Sequence, residues 1–103
     1  MIWFCGNLTV VSYEFFYLDD ADDAMARLES DPAMAHVLAA VERTLDKLAS
    51  DPFNPRLGTT SFVTPELGGV SATPTGLDDW YVFWQRGPEP KIIDIVLVDQ
   101  IRL

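Results

Sequence analysis

The stretch from residue 80 to residue 98 constrains this chain more than any other part of it. It reads Trp-Tyr-Val-Phe-Trp-Gln-Arg, then Gly87-Pro88-Glu89-Pro90, then Lys-Ile-Ile-Asp-Ile-Val-Leu-Val. Aromatic and β-branched residues at this density, bounded by glycine and proline, predict two strands (residues 80–86 and 91–98) joined as a hairpin. Side chains alternate across a strand, so Trp80, Val82 and Trp84 share one face while Tyr81 and Phe83 share the other. A strand that is apolar on both faces belongs in the middle of a sheet, beneath a helix layer and above a second packing surface. The rest of the chain must supply those layers.

Two helical segments precede the hairpin. Asp19 and Asp20 stand where the first should start, with side-chain oxygens suited to capping free N–H groups. Asp22 and Asp23 suit the positive end of the helix dipole. Ala21, Ala24, Met25 and Leu28 give a short apolar stripe to about Glu29. The second segment opens with Asp31 as N-cap and Pro32 at the first helical position, where its missing N–H costs nothing. Met34, Val37, Leu38, Val41, Leu45 and Leu48 recur at helical spacing through Ala49. Ser50-Asp51-Pro52 and Pro55 stop it. With two or three residues between them, the helices should fold back as an antiparallel hairpin.

Residues 10–18 form a strand ahead of the helices, with Val11, Tyr13, Phe15 and Tyr17 on one side. Ile2 to Phe4 either extend that strand or make a separate edge. After Pro55 come short strands at residues 59–64 and 70–75, separated by the turn Pro65-Glu66-Leu67-Gly68-Gly69. Pro74 marks the second as an edge or a bulge. The order is β–α–α–β–β–β–β, an α+β layout in which helices cover one face of an antiparallel sheet. At 103 residues the chain makes a single domain with one core, and 49% hydrophobic content argues against disorder.

Charge limits the function. The chain carries 16 acids and 7 bases, a net charge of −9. Nucleic-acid binders usually show the opposite balance, so any polyanion would need a local basic patch. Arg56, Arg86, Lys91 and Arg102 lie near predicted strand ends, where sheet curvature can gather them around one cleft, although scattered solvated cations are the plainer reading. The acid cluster from Asp19 to Asp23 lacks the glycine, spacing and terminal Glu of an EF-hand, which leaves capping and solvation as its role. No metal ligation and no cofactor is expected.

The lone histidine, His36, projects with Ala40, Arg43 and Lys47, away from the apolar stripe. The lone cysteine, Cys5, has no basic neighbour in sequence and reads as a buried thiol. A Cys–His nucleophilic pair therefore has no support. A single cysteine also makes no internal disulfide, which fits a reducing compartment. Residues 1–11 are apolar, but the first base in the chain is Arg27, so they do not read as a signal peptide. They are too short and interrupted to span a bilayer. The expectation is a cytoplasmic protein with no membrane partner.

The element order, together with three stretches, resembles the RelE/ParE superfamily of toxin–antitoxin toxins. Leu45-Asp-Lys-Leu-Ala-Ser-Asp-Pro52 is similar to the end of the family's second helix. Thr75-Gly-Leu-Asp-Asp-Trp-Tyr-Val-Phe-Trp84 resembles the glycine turn into its central strand. Ile92-Ile-Asp-Ile-Val-Leu-Val-Asp-Gln-Ile-Arg102 resembles its last strand and basic tail. The resemblance implies a curved antiparallel sheet of about four strands following the N-terminal strand and two-helix hairpin. It also implies a cognate antitoxin as partner, and ribosome-bound mRNA as a second one. A homodimer is a further expectation.

The chain departs from the family where the chemistry is done. The ribosome-dependent RNases of the family carry basic residues on the concave face, usually with an Arg just after the glycine turn. Here that position is Trp80, and the preceding strand offers Ser71 and Thr73. The turn presents Asp78 and Asp79, which would repel a scissile phosphate. The leading expectation is thus a toxin-like protein that acts by binding proteins. The alternative is a divergent mRNA endoribonuclease, with Arg56, Arg86 or Arg102 holding phosphate and Asp78 or Asp79 as base. A catalytically silent interaction domain of the same fold is the third reading.

Overall fold

The computed structural model describes residues 13–77 and 79–101. Strand β1 (Glu14–Tyr17) leads into helix α1 (Asp19–Ser30), and a 3-10 turn at Pro32–Met34 connects it to helix α2 (Ala35–Ser50). A second 3-10 turn, Pro55–Leu57, precedes strands β2 (Thr60–Thr64), β3 (Gly68–Pro74), β4 (Trp80–Arg86) and β5 (Ile92–Gln100). The expected order is therefore present. The expectations that fall on Ile2 to Phe4, Cys5, Val11, Asp78 and Arg102 lie outside the described residues.

Among the described residues the sheet has five strands in the order β1-β5-β4-β3-β2. The four later strands pair antiparallel, as expected, whereas β1 joins β5 in parallel, making the whole sheet mixed. The connectivity permits parallel pairing, because the helix pair and three strands separate β1 from β5 and leave room for a crossover. Pro74 sits inside β3 without breaking it. The β2–β3 pairing ends at Thr60↔Ala72, so Pro74 pairs only with Tyr81 on β4 and its outer side is a local edge.

Both helices lie on one face of the sheet. Ala21, Ala24 and Leu28 of α1 and Val37, Val41, Leu45 and Leu48 of α2 pack on Val82, Trp84, Ile93, Ile95 and Val98. Burying a side chain of this size contributes about 1.5–3 kcal/mol, so this interface dominates the stability. Ala40 belongs to the buried stripe as well, at 0% exposure, although the projection had set it beside the exposed His36. Buried Thr44 satisfies its hydroxyl by donating to the Ala40 carbonyl at 2.9 Å.

Two helix starts differ from expectation. Leu18 occupies the N-cap of α1 and makes no side-chain cap; Asp19, Asp20 and Asp22 lie in the first turn, where they act through the dipole alone. Asp31 does cap, accepting from Ala33 N–H at 3.0 Å, but it caps the 3-10 turn that leads into α2 rather than α2 itself.

An irregularity between β4 and β5 shapes the sheet. Phe83 pairs with Leu97 but Trp84 pairs with Ile95, so Val96 is an extra residue on β5. The insertion reverses the inward parity: Ile93, Ile95 and Val98 all face the helices, while Val96 and Leu97 face away. At the hairpin end, Gly87 passes so close to β5 that a Cβ there would stand 2.8 Å from the Ile92 carbonyl oxygen. Only glycine fits. Among the described residues no helix is long and apolar enough to cross a membrane.

Tyr17 gives a test of the packing of β1 against the helices. Burial raises its phenol above the ordinary value of 10.0, and the carboxylates of Glu29 and Glu42 raise it further. A raised folded value means that the stability tied to neutral Tyr17 is intact below pH ~10 and is lost as the pH climbs through the folded value. Tyr17→Phe should flatten the fall in urea midpoint above pH ~10. Superimposable alkaline profiles for the two proteins would show that Tyr17 is not held in this environment.

Candidate functional site

The loop that follows α2 walls an open cleft. Asp51 turns the chain out of the helix, and its carboxylate accepts from Phe53 N–H at 3.2 Å. Pro52 is fully buried and anchors the turn, while Phe53 is thrown outward at 50% exposure. Asn54 then caps the 3-10 turn by accepting from Arg56 N–H at 3.0 Å. Side-chain-to-backbone bonds of this kind fix a loop that has no regular ladder.

Phe53 is held on three sides. Its ring meets Tyr13 edge-on at 6.2 Å and Trp84 at 6.0 Å, and the Arg86 guanidinium lies 4.6 Å from its centroid. An Arg over an aromatic face is attracted by the ring quadrupole, which fixes an otherwise freely moving cation.

The opposite wall is the inner surface of β2, β3 and β4. Trp84 is 2% exposed and donates its indole N–H to the Thr73 hydroxyl at 2.9 Å. Thr73 in turn shares a 2.7 Å hydrogen bond with Thr59. Ser61 and Ser71 face each other across β2 and β3 at 3.4 Å. The Gln85 amide donates to the carbonyls of Leu67 and Gly69 at 3.1 and 3.2 Å, holding the β2–β3 turn against β4.

Between these walls is an open cleft of about 730 Å³, whose lining includes Phe53, Asn54, Ser61, Ser71, Gln85 and Arg86. Among the described residues Arg86 is the only charged one that lines it, and no carboxylate does. In a chain of net charge −9 that is a distinct local environment. Hydroxyls, amides and one fixed guanidinium can hold an anion or a polar chain. The lining includes none of the side-chain types that usually serve as general base, so it offers little for activating a nucleophile.

Those of the sequence-predicted site residues that are described do not converge. Arg86 lines the cleft, and with Lys91 it also borders a neighbouring hollow of about 490 Å³ around Phe53. Arg56 faces a different hollow, with Asp46, Lys47 and Asp51. Asp79 lies just before β4, and its carbonyl accepts from Ile101 N–H at 2.9 Å. A seven-residue strand spans about 20 Å, so β4 holds Asp79 and Arg86 far apart. Asp78 and Arg102 lie outside the described residues. His36 is exposed on α2. Among the described residues no cluster of three or more His, Cys, Asp or Glu suits a metal ion.

Phe53, Asn54, Thr59 and Thr73 were not nominated. The words Asp51-Pro-Phe-Asn-Pro55 carried the signal, since a large aromatic between two prolines in a loop has nowhere to hide except against another element.

A strand, a two-helix hairpin and four antiparallel strands, with the post-helix loop walling the cleft, together define a RelE/ParE-like toxin fold. No protein-family model matches the sequence, and no curated protein matches it. Solved structures do. The YoeB/ParE toxin from Agrobacterium tumefaciens superposes with a TM-score of 0.69 at 6% identity, covering 86% of this chain and 99% of that one. A chain of the RelBE2 toxin–antitoxin complex from Mycobacterium tuberculosis gives 0.62 at 22% identity, covering 88% and 100%. The archaeal RelE–RelB complex from Pyrococcus horikoshii gives 0.60 at 18% identity, covering 86% and 94%. At these identities the likeness is one of fold.

The Thr73 hydroxyl is what keeps the Trp84 indole satisfied beneath the cleft. Thr73→Val should destabilise the protein by about 1–3 kcal/mol, because it leaves a buried N–H without its partner. Urea denaturation measures this. An unchanged midpoint would mean that the indole finds another acceptor and that Thr73 does not build the cleft floor.

Proposed function

We propose that this chain is the toxin-like member of a toxin–antitoxin pair and that it works by binding protein, its first partner being a basic, amphipathic antitoxin segment. The fold supports the reading, since two of the similar structures are toxin–antitoxin complexes. The observation that carries it is Phe16, an aromatic 60% exposed at the β1 edge of the sheet. The face of the sheet away from the helices is itself closed at its centre, where Val70, Ala72 and Phe83 are buried in a cluster with Tyr81, Val96, Leu97 and Ile101. Toward β1 the surface becomes acidic. A hollow of about 450 Å³ has Glu14, Glu89 and Asp94 around Phe15, Phe16 and Ile92, and Phe16 is 60% exposed. An apolar centre with a carboxylate margin selects a segment that is oily on one side and positively charged on the other.

The test is to co-express the chain with the product of the adjoining open reading frame. The two should co-purify, and Phe16→Lys should weaken binding about tenfold or more, since it removes an aromatic anchor and sets a cation against a basic partner. The reading fails if the chain elutes alone and stably folded while its expression leaves growth unchanged, or if Phe16→Lys binds like the parent.

A second reading, a divergent endoribonuclease of ribosome-bound mRNA, is favoured by the cleft itself, where among the described residues Arg86 stands without any lining carboxylate. On that reading, induction arrests translation and Arg86→Ala relieves the arrest while the protein stays folded. Arrest that is indifferent to Arg86→Ala would remove this cleft from the mechanism.

A further inference from the structure

We infer that β2 is a self-association edge, through which two copies of this chain pair antiparallel to continue the sheet across a two-fold axis. Among the described residues β2 is the terminal strand on its side of the sheet, and nothing pairs with its outer edge. Its sequence, Thr60-Ser61-Phe62-Val63-Thr64, holds no charge and no proline. Those are the usual means by which proteins block edge pairing, and none is used here. The two large side chains are also unusually open, with Phe62 at 40% and Val63 at 82% exposure.

Charge identifies the occupant. From Pro52 to Leu77 the chain carries one base, Arg56, and one acid, Glu66; the other residues hold 15 acids and 6 bases, the entire net charge of −9. Two copies approaching by almost any other surface bring like charges together. Edge to edge at β2, they do not. A foreign partner selected by charge would be basic and would settle on the acidic remainder, whereas an identical copy is tolerated only at this neutral strip.

The strand is also close to self-complementary. An antiparallel pairing centred on Phe62 sets Thr60 against the partner's Thr64, Ser61 against the partner's Val63, and Phe62 against its own equivalent. Facing β-branched and aromatic residues are the pairs that stabilise a sheet. Phe62 already packs edge-on against Phe83 at 6.2 Å, so the pairing would join the apolar second faces of both copies. On the opposite face Ser61 lines the cleft, so the partner's Val63 would stand beside it as an added rim. A five-residue edge buries less than a standard stable interface of about 1,600 Å², so the dimer is a reversible one.

Analytical ultracentrifugation over a wide concentration range tests this. The mass should rise from 11.5 kDa toward twice that value with concentration. Val63→Lys should weaken the dimer more than about tenfold, because a two-fold axis applies the change twice. Phe16→Lys, on the opposite edge, should leave it intact. Val63 is largely exposed, so the variant should fold, and circular dichroism checks that it does. In a Cys5→Ser background, a mixture of Ser61→Cys and Val63→Cys chains should oxidise to a disulfide-linked dimer, which reads the register directly. A chain monomeric at every concentration, or a dimer indifferent to Val63→Lys, would overturn the inference.

Discussion

β4 is the strand on which both layers of the molecule depend, and its stacking with β5 decides which side chains each layer receives. Val82 and Trp84 press against the helices, while Phe83 and Tyr81 organise the cluster on the far side. The extra residue at Val96 lets β5 serve both. With strict alternation, Ile93 and Ile95 would share a face with Leu97, and Val98 would turn outward. The insertion instead places Val98 beneath α1 and sends Leu97 to the second face. Fixing Trp84 in that register also fixes Phe53, and Phe53 fixes Arg86. The cleft therefore inherits its geometry from a packing decision made in the core.

Much of this was legible in the residues. The hairpin at β4 and β5, the two-faced character of β4 and the helical pair all follow from periodicity and punctuation, because those signals are local. Less legible were features that depend on distant partners. The parallel docking of β1 is invisible to a pattern that shows only a buried and an open face. Ala40 looked surface-like because alanine reports little about burial, and only the angle at which α2 meets β4 settles it. Asp19 and Asp20 looked like caps because acids cluster at helix starts, yet the dipole alone accounts for them once Leu18 takes the N-cap position.

The site was legible in part. Arg86 was nominated for its place at a strand end, and it does line the cleft. Asp79 was nominated for standing in the turn before β4, and the length of that strand keeps it far from Arg86. Sequence proximity to a turn says nothing about which end of a sheet the turn occupies. The loop residues Phe53 and Asn54 escaped notice because a helix stop and a binding wall are written in the same letters. Aspartate, proline and asparagine do both jobs through the same hydrogen bonds to backbone N–H groups.

Electrostatics ties the fold to its use. Most of the negative charge sits on the helices, the ends of β4 and β5, and the β1 margin, while the strip from Pro52 to Leu77 is neutral. Acidity spread in this way disfavours the close approach of two copies over most of their surface and gives the β1 side a field that favours positive charge. It leaves the cleft and the β2 edge as the places where an anion or another copy of this same chain meets no repulsion. A uniformly acidic domain would allow one kind of encounter; the neutral strip allows a second, and the strand order puts the two on opposite edges of a single sheet, where neither obstructs the other.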